Sequence, residues 1–186
     1  MGYGLVPYQV DLESLCSVLG AKDRNYISGF LQYRYNELLE VDELAEDLLS
    51  DNEKRRPALE VAIDMLTKPN YKDPNVFIQG RIIEVMILSF GSTERLDNAE
   101  WYRCSIPDFL YFDSEISQYS LECEKKGIFS GVESPLFLIK HEFAQNVLDR
   151  FIEKYSQDIN HEAVDEFSNW IKSSIEKKLD LAIYYY

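Results

Sequence analysis

Between Glu37 and Glu53 the chain has neither lysine nor arginine. Scarcity marks the rest of the sequence as well. Eight glycines and six prolines in 186 residues are too few for a disordered or low-complexity chain. Three cysteines, Cys16, Cys104 and Cys123, form an odd set without close spacing. That excludes a secreted disulfide framework and a paired-cysteine zinc site, and it points to reduced thiols in a cytoplasm. The two histidines, His141 and His161, are each followed by glutamate, yet neither completes the HExxH spacing of a zinc protease. No GxxxxGK[ST] phosphate loop occurs. The longest apolar stretch, residues 76–90, is interrupted by Gln79, Arg81 and Glu84, so it is too short and too polar to span a bilayer. The opening MGYGLVPYQVDL lacks the basic and apolar regions of a signal peptide. Basic side chains number 19 against 33 acidic ones, which gives a formal charge of −14 and a pI near 4.5. Nucleic-acid phosphate and anionic membranes both require clustered cations, so neither is an expected partner. No motif implies a cofactor or a metal.

What is present is material for a core. Hydrophobic residues make up 46% and aromatic residues 13% of the chain. At this length a chain buries roughly 70% of its extended surface. One α+β domain over residues 1–186 is expected, with residues 92–134 as an irregular, insertion-like segment. Residues 3–10 read as a strand whose Pro7 suits a sheet edge, and residues 179–186 read as a second strand. A strand so rich in Ile and Tyr would not stay unpaired, so the two terminal strands should pair in a small antiparallel sheet. About six helices are expected around a central apolar helix at 75–90. Asp11 should cap a short helix that Gly20 closes. A helical region over 23–50 has one apolar face and a possible break near Val41. A further helix covers 57–67, and one is possible at 113–126. Ser134-Pro135 opens a long helix through Leu136, Ile139, Phe143, Val147, Phe151 and Tyr155. Asn160 caps the last helix.

Candidate chemistry is sparse. Arg81 and Glu84 lie three apart on the otherwise apolar helix, so they should pair there or line a pocket with Trp101 and Tyr102. In the pocket reading Arg81 would receive a carboxylate or phosphate. His141 lies beside an apolar stripe and His161 in the first turn of the last helix, which suits structural roles. A Cys104–His141 nucleophilic pair requires that folding bring the two together. The thirteen tyrosines suit cross-strand packing, and tyrosine-rich faces also serve as binding surfaces.

The run from Glu37 to Glu53 contains Glu37, Glu40, Asp42, Glu43, Glu46, Asp47, Asp51 and Glu53, and so carries −8 of the −14. Leu38, Val41, Ala45 and Leu48 turn inward by helical spacing, which puts the carboxylates outside. Lys54, Arg55 and Arg56 follow and are placed to offset the charge. Two accounts of this run compete: a solvated face, and a surface for a basic protein partner through Glu40, Glu43, Glu46 and Asp47.

The opening M-G-Y-G-L-V-P-Y-Q-V-D-L and the closing D-L-A-I-Y-Y-Y resemble the ends of a bacterial family of unknown function. Its members open on a tyrosine-bearing strand and close on an aromatic one. The resemblance covers only the chain ends. It implies an α+β bacterial protein and carries over no catalytic residue. Together these features predict a non-enzymatic, cytoplasmic, acidic protein that binds or neutralises a basic partner, as immunity and regulator proteins do. The alternative is a small enzyme or ligand-binding protein with a pocket at Arg81 and Glu84. A third reading, from the aromatic end strands, is an oligomer-forming protein.

Overall fold

Residues 4–48, 56–91, 96, 106–128, 135–155 and 161–185 are described by a computed structural model. Among them the elements run β1 (Leu5–Val10), α1 (Leu12–Val18), α2 (Arg24–Tyr33), α3 (Tyr35–Leu48), α4 (Ala58–Thr67) and α5 (Val76–Ile87). They continue with α6 (Ile106–Phe112), α7 (Ser114–Lys125), β2 (Leu136–Ile139), α8 (Ala144–Tyr155), α9 (His161–Lys177) and β3 (Asp180–Tyr185). The fold is α+β, and its nine described helices exceed the six expected.

The three strands form one antiparallel sheet in the order β1-β3-β2, so the last strand of the chain lies at its centre. Leu5 pairs with Tyr185 and Val10 with Asp180, which is the expected union of the terminal strands. The composition of β3 explains its place. Residues 180–184 are all buried, so both faces of the strand are covered, as a central strand requires. Pro7 sits on the edge strand β1, where a missing N–H breaks no ladder. Beyond that edge, the Leu96 N–H donates to the Pro7 carbonyl at 3.0 Å. Gly91 bridges to Val10, and a Cβ there would lie 1.7 Å from the Gln9 carbonyl oxygen, so only glycine permits the approach.

The fold gathers into two compact units. The first comprises Met1–Leu12, Gly91–Glu122 and Pro135–Tyr186. Its core joins one face of the sheet (Leu5, Phe137, Ile139, Leu181, Ile183) to α6, α8 and α9. Phe151 stands at the centre of an aromatic group, 4.4 Å from the ring of Phe167 and 5.1 Å from that of Phe109. Such pairs contribute about 0.5–1.5 kcal/mol each beyond the burial itself. Gln9 is buried in this unit and fully engaged, donating to Ser173 Oγ at 2.8 Å and accepting from Lys177 Nζ at 3.0 Å.

The second unit comprises Glu13–Phe90 and Cys123–Ser134. Here α3, α4 and α5 pack against one another, and α2 packs on α3 and α4. The apolar helix α5 buries Ile78, Ile82, Ile83, Val85, Met86 and Ile87. It opens on Asn75, whose side chain accepts the Ile78 N–H at 3.3 Å.

Several expected boundaries move. The 23–50 region breaks at Arg34 and not near Val41. Arg34 donates through Nη2 to the Leu88 carbonyl at 2.9 Å and through Nε to Ser89 Oγ at 3.1 Å. These tertiary bonds anchor the junction of α2 and α3 to the end of α5. The long helix expected from Pro135 is really a strand followed by a helix. Residues 136–139, Leu-Phe-Leu-Ile, are buried throughout and pair with β3, and the helix begins at Ala144. Four consecutive apolar residues fit either element, and the free edge of β3 decides for the strand. The aromatic cluster at Phe109, Tyr111 and Phe112, expected in irregular chain, lies on α6. Asn160 falls outside the described residues.

Candidate functional site

Helix α3 separates its residues cleanly. Leu38, Val41 and Ala45 are buried, whereas Glu40, Glu43, Glu46 and Asp47 are exposed. Beside these carboxylates stand apolar side chains that the helix pattern also leaves outside: Leu39 is 42% exposed, Tyr35 50%, and the neighbouring Tyr33 of α2 81%. The face is therefore acidic and aromatic together. Aromatic residues are enriched at interface centres, and charge complementarity steers encounter.

The acidic run is not uniform in role. Glu37 accepts from Arg34 Nη1 at 2.8 Å. Partial burial pushes its carboxyl up, but the Arg34 bond and charge outweigh this and hold it below the ordinary glutamate range. Asp42 is half-buried and turns to a structural use. Its Oδ1 accepts the Ala58 N–H at 2.7 Å, satisfying a first-turn donor of α4 that Pro57, at the N-cap, leaves without a side-chain partner. Glu40, Glu43, Glu46 and Asp47 have no cationic partner among the described residues. The last turn of α3 holds no basic residue either, so Glu46 and Asp47 face the negative end of the helix dipole.

Arg56, which the sequence places to offset this charge, is directed elsewhere. Its Nη2 meets Asp64 Oδ2 at 2.8 Å, and its Nη1 meets Asp73 Oδ2 at 3.1 Å and the Tyr71 hydroxyl. Tyr71 donates to Asp73 Oδ2 at 2.6 Å. Buried Gln79 closes the network by accepting the Asp73 N–H at 2.7 Å and donating to the Tyr71 carbonyl at 3.2 Å. The effect is to bind the proline-rich connection 68–75 to α4. Lys54, Arg55, Asp51 and Glu53 lie outside the described residues.

Arg81 and Glu84 meet on α5, Nη1 to Oε2 at 2.9 Å, and the guanidinium lies 5.5 Å from the Phe77 ring centroid. Trp101 and Tyr102, expected beside them, lie outside the described residues, as does Cys104. Cys16 and Cys123 are thiols, the latter buried. His161 begins α9. His141 follows β2 and contacts Asp180, an arrangement that no periodicity in the sequence signals. Among the described residues no three His, Cys, Asp or Glu side chains are grouped to hold a metal ion. No described helix is long and apolar enough to cross a membrane.

The fold and this surface define an α+β protein with an acidic helical face and no marked catalytic motif. The chain belongs to a family described as a domain of unknown function (DUF7691), whose model matches residues 1–186. No curated protein and no solved structure matches the chain.

Proposed function

We propose that this protein is a cytoplasmic bacterial interaction protein that binds, and in binding neutralises, a basic protein partner. The outer face of α3 is its contact surface. One observation carries this reading: Glu40, Glu43, Glu46 and Asp47 are exposed together and have no cation beside them among the described residues. A helix face that needed only to stay wet would be more stable with lysine or arginine interspersed at three- and four-residue steps. A basic partner supplies those cations in trans. Tyr33, Tyr35 and Leu39 add apolar area beside the charge.

The test is capture from native lysate at low and high salt, with mass spectrometry of what elutes. A basic protein retained at low salt and released at high salt is expected. The combined variant Glu43→Lys, Glu46→Lys, Asp47→Lys should abolish that retention while the fold persists. Retention that survives the triple change would reduce α3 to a solvated face.

A further inference from the structure

The open side of α3 is ordered along its length as well as around it. Successive residues turn by about 100°, and Leu38, Val41 and Ala45 fix the buried side. Tyr35, Leu39, Glu43 and Glu46 then fall together in a strip about 80° wide on the open side. Along that strip the chemistry is segregated. Its N-terminal half is apolar, with exposed Tyr35 and Leu39, and exposed Tyr33 stands just ahead of the Arg34 junction. Its C-terminal half is acidic, with Glu43 and Glu46 in the strip and Asp47 beside them. Tyr35 and Glu46 are about 16 Å apart along the helix axis.

One exposed leucine or tyrosine is ordinary. Three large side chains within seven residues, next to carboxylates that have no cation, serve no purpose in folding. Neither Tyr33 nor Tyr35 has a ring contact or a side-chain hydrogen bond among the described residues. They do not brace the junction of α2 and α3, which the Arg34 bonds already hold.

The kind of element that fits the strip follows from what a helix withholds. Backbone N–H and C=O groups inside α3 bond one another, so an extended segment laid on it would lose water from its own backbone and gain no partner. A sheet edge could pair with such a segment, but both edges are engaged. The Pro7 carbonyl of β1 accepts the Leu96 N–H, and the Leu138 N–H of β2 donates to Ser120 Oγ at 3.1 Å. A second helix satisfies its own backbone and meets α3 through rows of side chains three and four apart. Charge complementarity requires that this helix be basic where α3 is acidic.

We propose that the segment of the partner that docks on α3 is an amphipathic, basic α-helix. It has two apolar anchors one turn apart, which cover Tyr35 and Leu39. One to two turns further along it has lysines or arginines, which meet Glu43, Glu46 and Asp47. The anchors supply the salt-independent part of the affinity, and the cations supply encounter and register. Such docking presupposes that α3 is the contact surface.

Three synthetic peptides of about 20 residues and identical composition test this by fluorescence anisotropy against the full chain, at low and high salt. In the first, two leucines four residues apart precede lysines in the next two turns of an alanine- and glutamine-based helix. In the second, the leucines and lysines are interleaved. The third keeps the first order, with central alanines of D configuration that break the helix. The first should bind about 10-fold or more tightly than either of the others, and its binding should weaken as salt rises. Tyr35→Ser combined with Leu39→Ser should erase that preference while the salt dependence and the far-ultraviolet circular dichroism persist. Equal affinities that fall with salt overturn the helical docking and leave an acidic contact surface standing. Equal affinities indifferent to salt, or no binding of any peptide, overturn both. A preference that survives the double serine change overturns the assignment of Tyr35 and Leu39 as the anchored pair.

Discussion

Glu43 offers the most direct measurement of what the acidic face costs the protein. It lies three residues after Glu40, three before Glu46 and four before Asp47 on α3, so it has three like-charged neighbours on the helix surface. Each such pair destabilises a helix by about 0.2–0.5 kcal/mol. Glu43→Gln leaves helix propensity nearly unchanged and removes all three repulsions, so it should stabilise the fold by about 0.6–1.5 kcal/mol. Glu43→Lys turns the repulsions into attractions and should gain about twice as much. Urea unfolding at low salt should therefore show a higher midpoint with an unchanged slope. In ~1 M salt the Debye length is only about 3 Å, so most of the gain should vanish. Binding of a basic partner should move the opposite way and weaken. A neutral or destabilising Glu43→Gln at low salt would refute the reasoning, as would a gain that persists at high salt. The first result would mean the carboxylates do not repel, the second that the effect is not electrostatic.

Asp42→Ala should behave in the opposite sense to Glu43→Gln, since it removes the acceptor of the Ala58 N–H. It should cost about 1 kcal/mol in urea unfolding and leave partner binding intact. Asp113 accepts the Glu115 and Ile116 N–H groups, each at 3.1 Å, and bonds Arg150 at 2.8 and 2.9 Å. Asp113→Ala should therefore cost about 2–3 kcal/mol, the sum of a lost cap and lost charged bonds. Asp113→Asn, which keeps the cap, should cost about half as much, and equal losses for the two would show that the cap contributes nothing. Tyr71 is pushed up to about 12 by burial first and by the neighbouring Asp73 second, and Tyr26 reaches about 12 through burial, opposed by Arg34. A raised tyrosine favours the neutral form in the folded state. Its contribution is complete below the ordinary value of 10.0 and is lost as pH climbs from there toward about 12. Tyrosinate absorbance should therefore show a late-ionising fraction that shrinks in Tyr71→Phe, whereas a single transition near 10 would contradict it.

Much of the architecture was legible because local and global signals agree. The β-forming ends, the Gly20 stop, the Pro57 start and the apolar run of α5 each specify the element they form. The reading failed where a distant residue decides. The break at Arg34 depends on carbonyl and hydroxyl acceptors at Leu88 and Ser89, more than fifty positions away. Residues 136–139 become a strand because β3 offers an edge, a fact absent from any window around Leu-Phe-Leu-Ile. The same holds for sites. Charge density marked the face of α3 directly. Asp180 and His141 are 39 positions apart, and neither stands in a recognisable motif. Arg56 was assigned to the wrong carboxylates for the same reason: proximity in sequence favoured α3, while the fold presents Asp64 and Asp73.

The distribution of cations sharpens the meaning of the acidic face. Arg34, Arg56, Lys68, Lys72, Arg81, Lys140 and Arg150 each lie within ion-pair distance of a carboxylate. Several of those carboxylates are also on the surface, as at Glu124 and Glu142, so exposure alone does not preclude pairing. Glu37, one turn before Glu40, has its arginine, and the four that follow on the outer face have none among the described residues. The same stretch supplies Asp42 as a cap, so the chain can put a carboxylate of this run to structural use where a donor exists. Like charges at three- and four-residue steps cost α3 stability, and two of them oppose its dipole, whereas a single lysine among them would reverse much of the loss. A surface that gives up stability in this way is expected where binding, not folding, sets the composition.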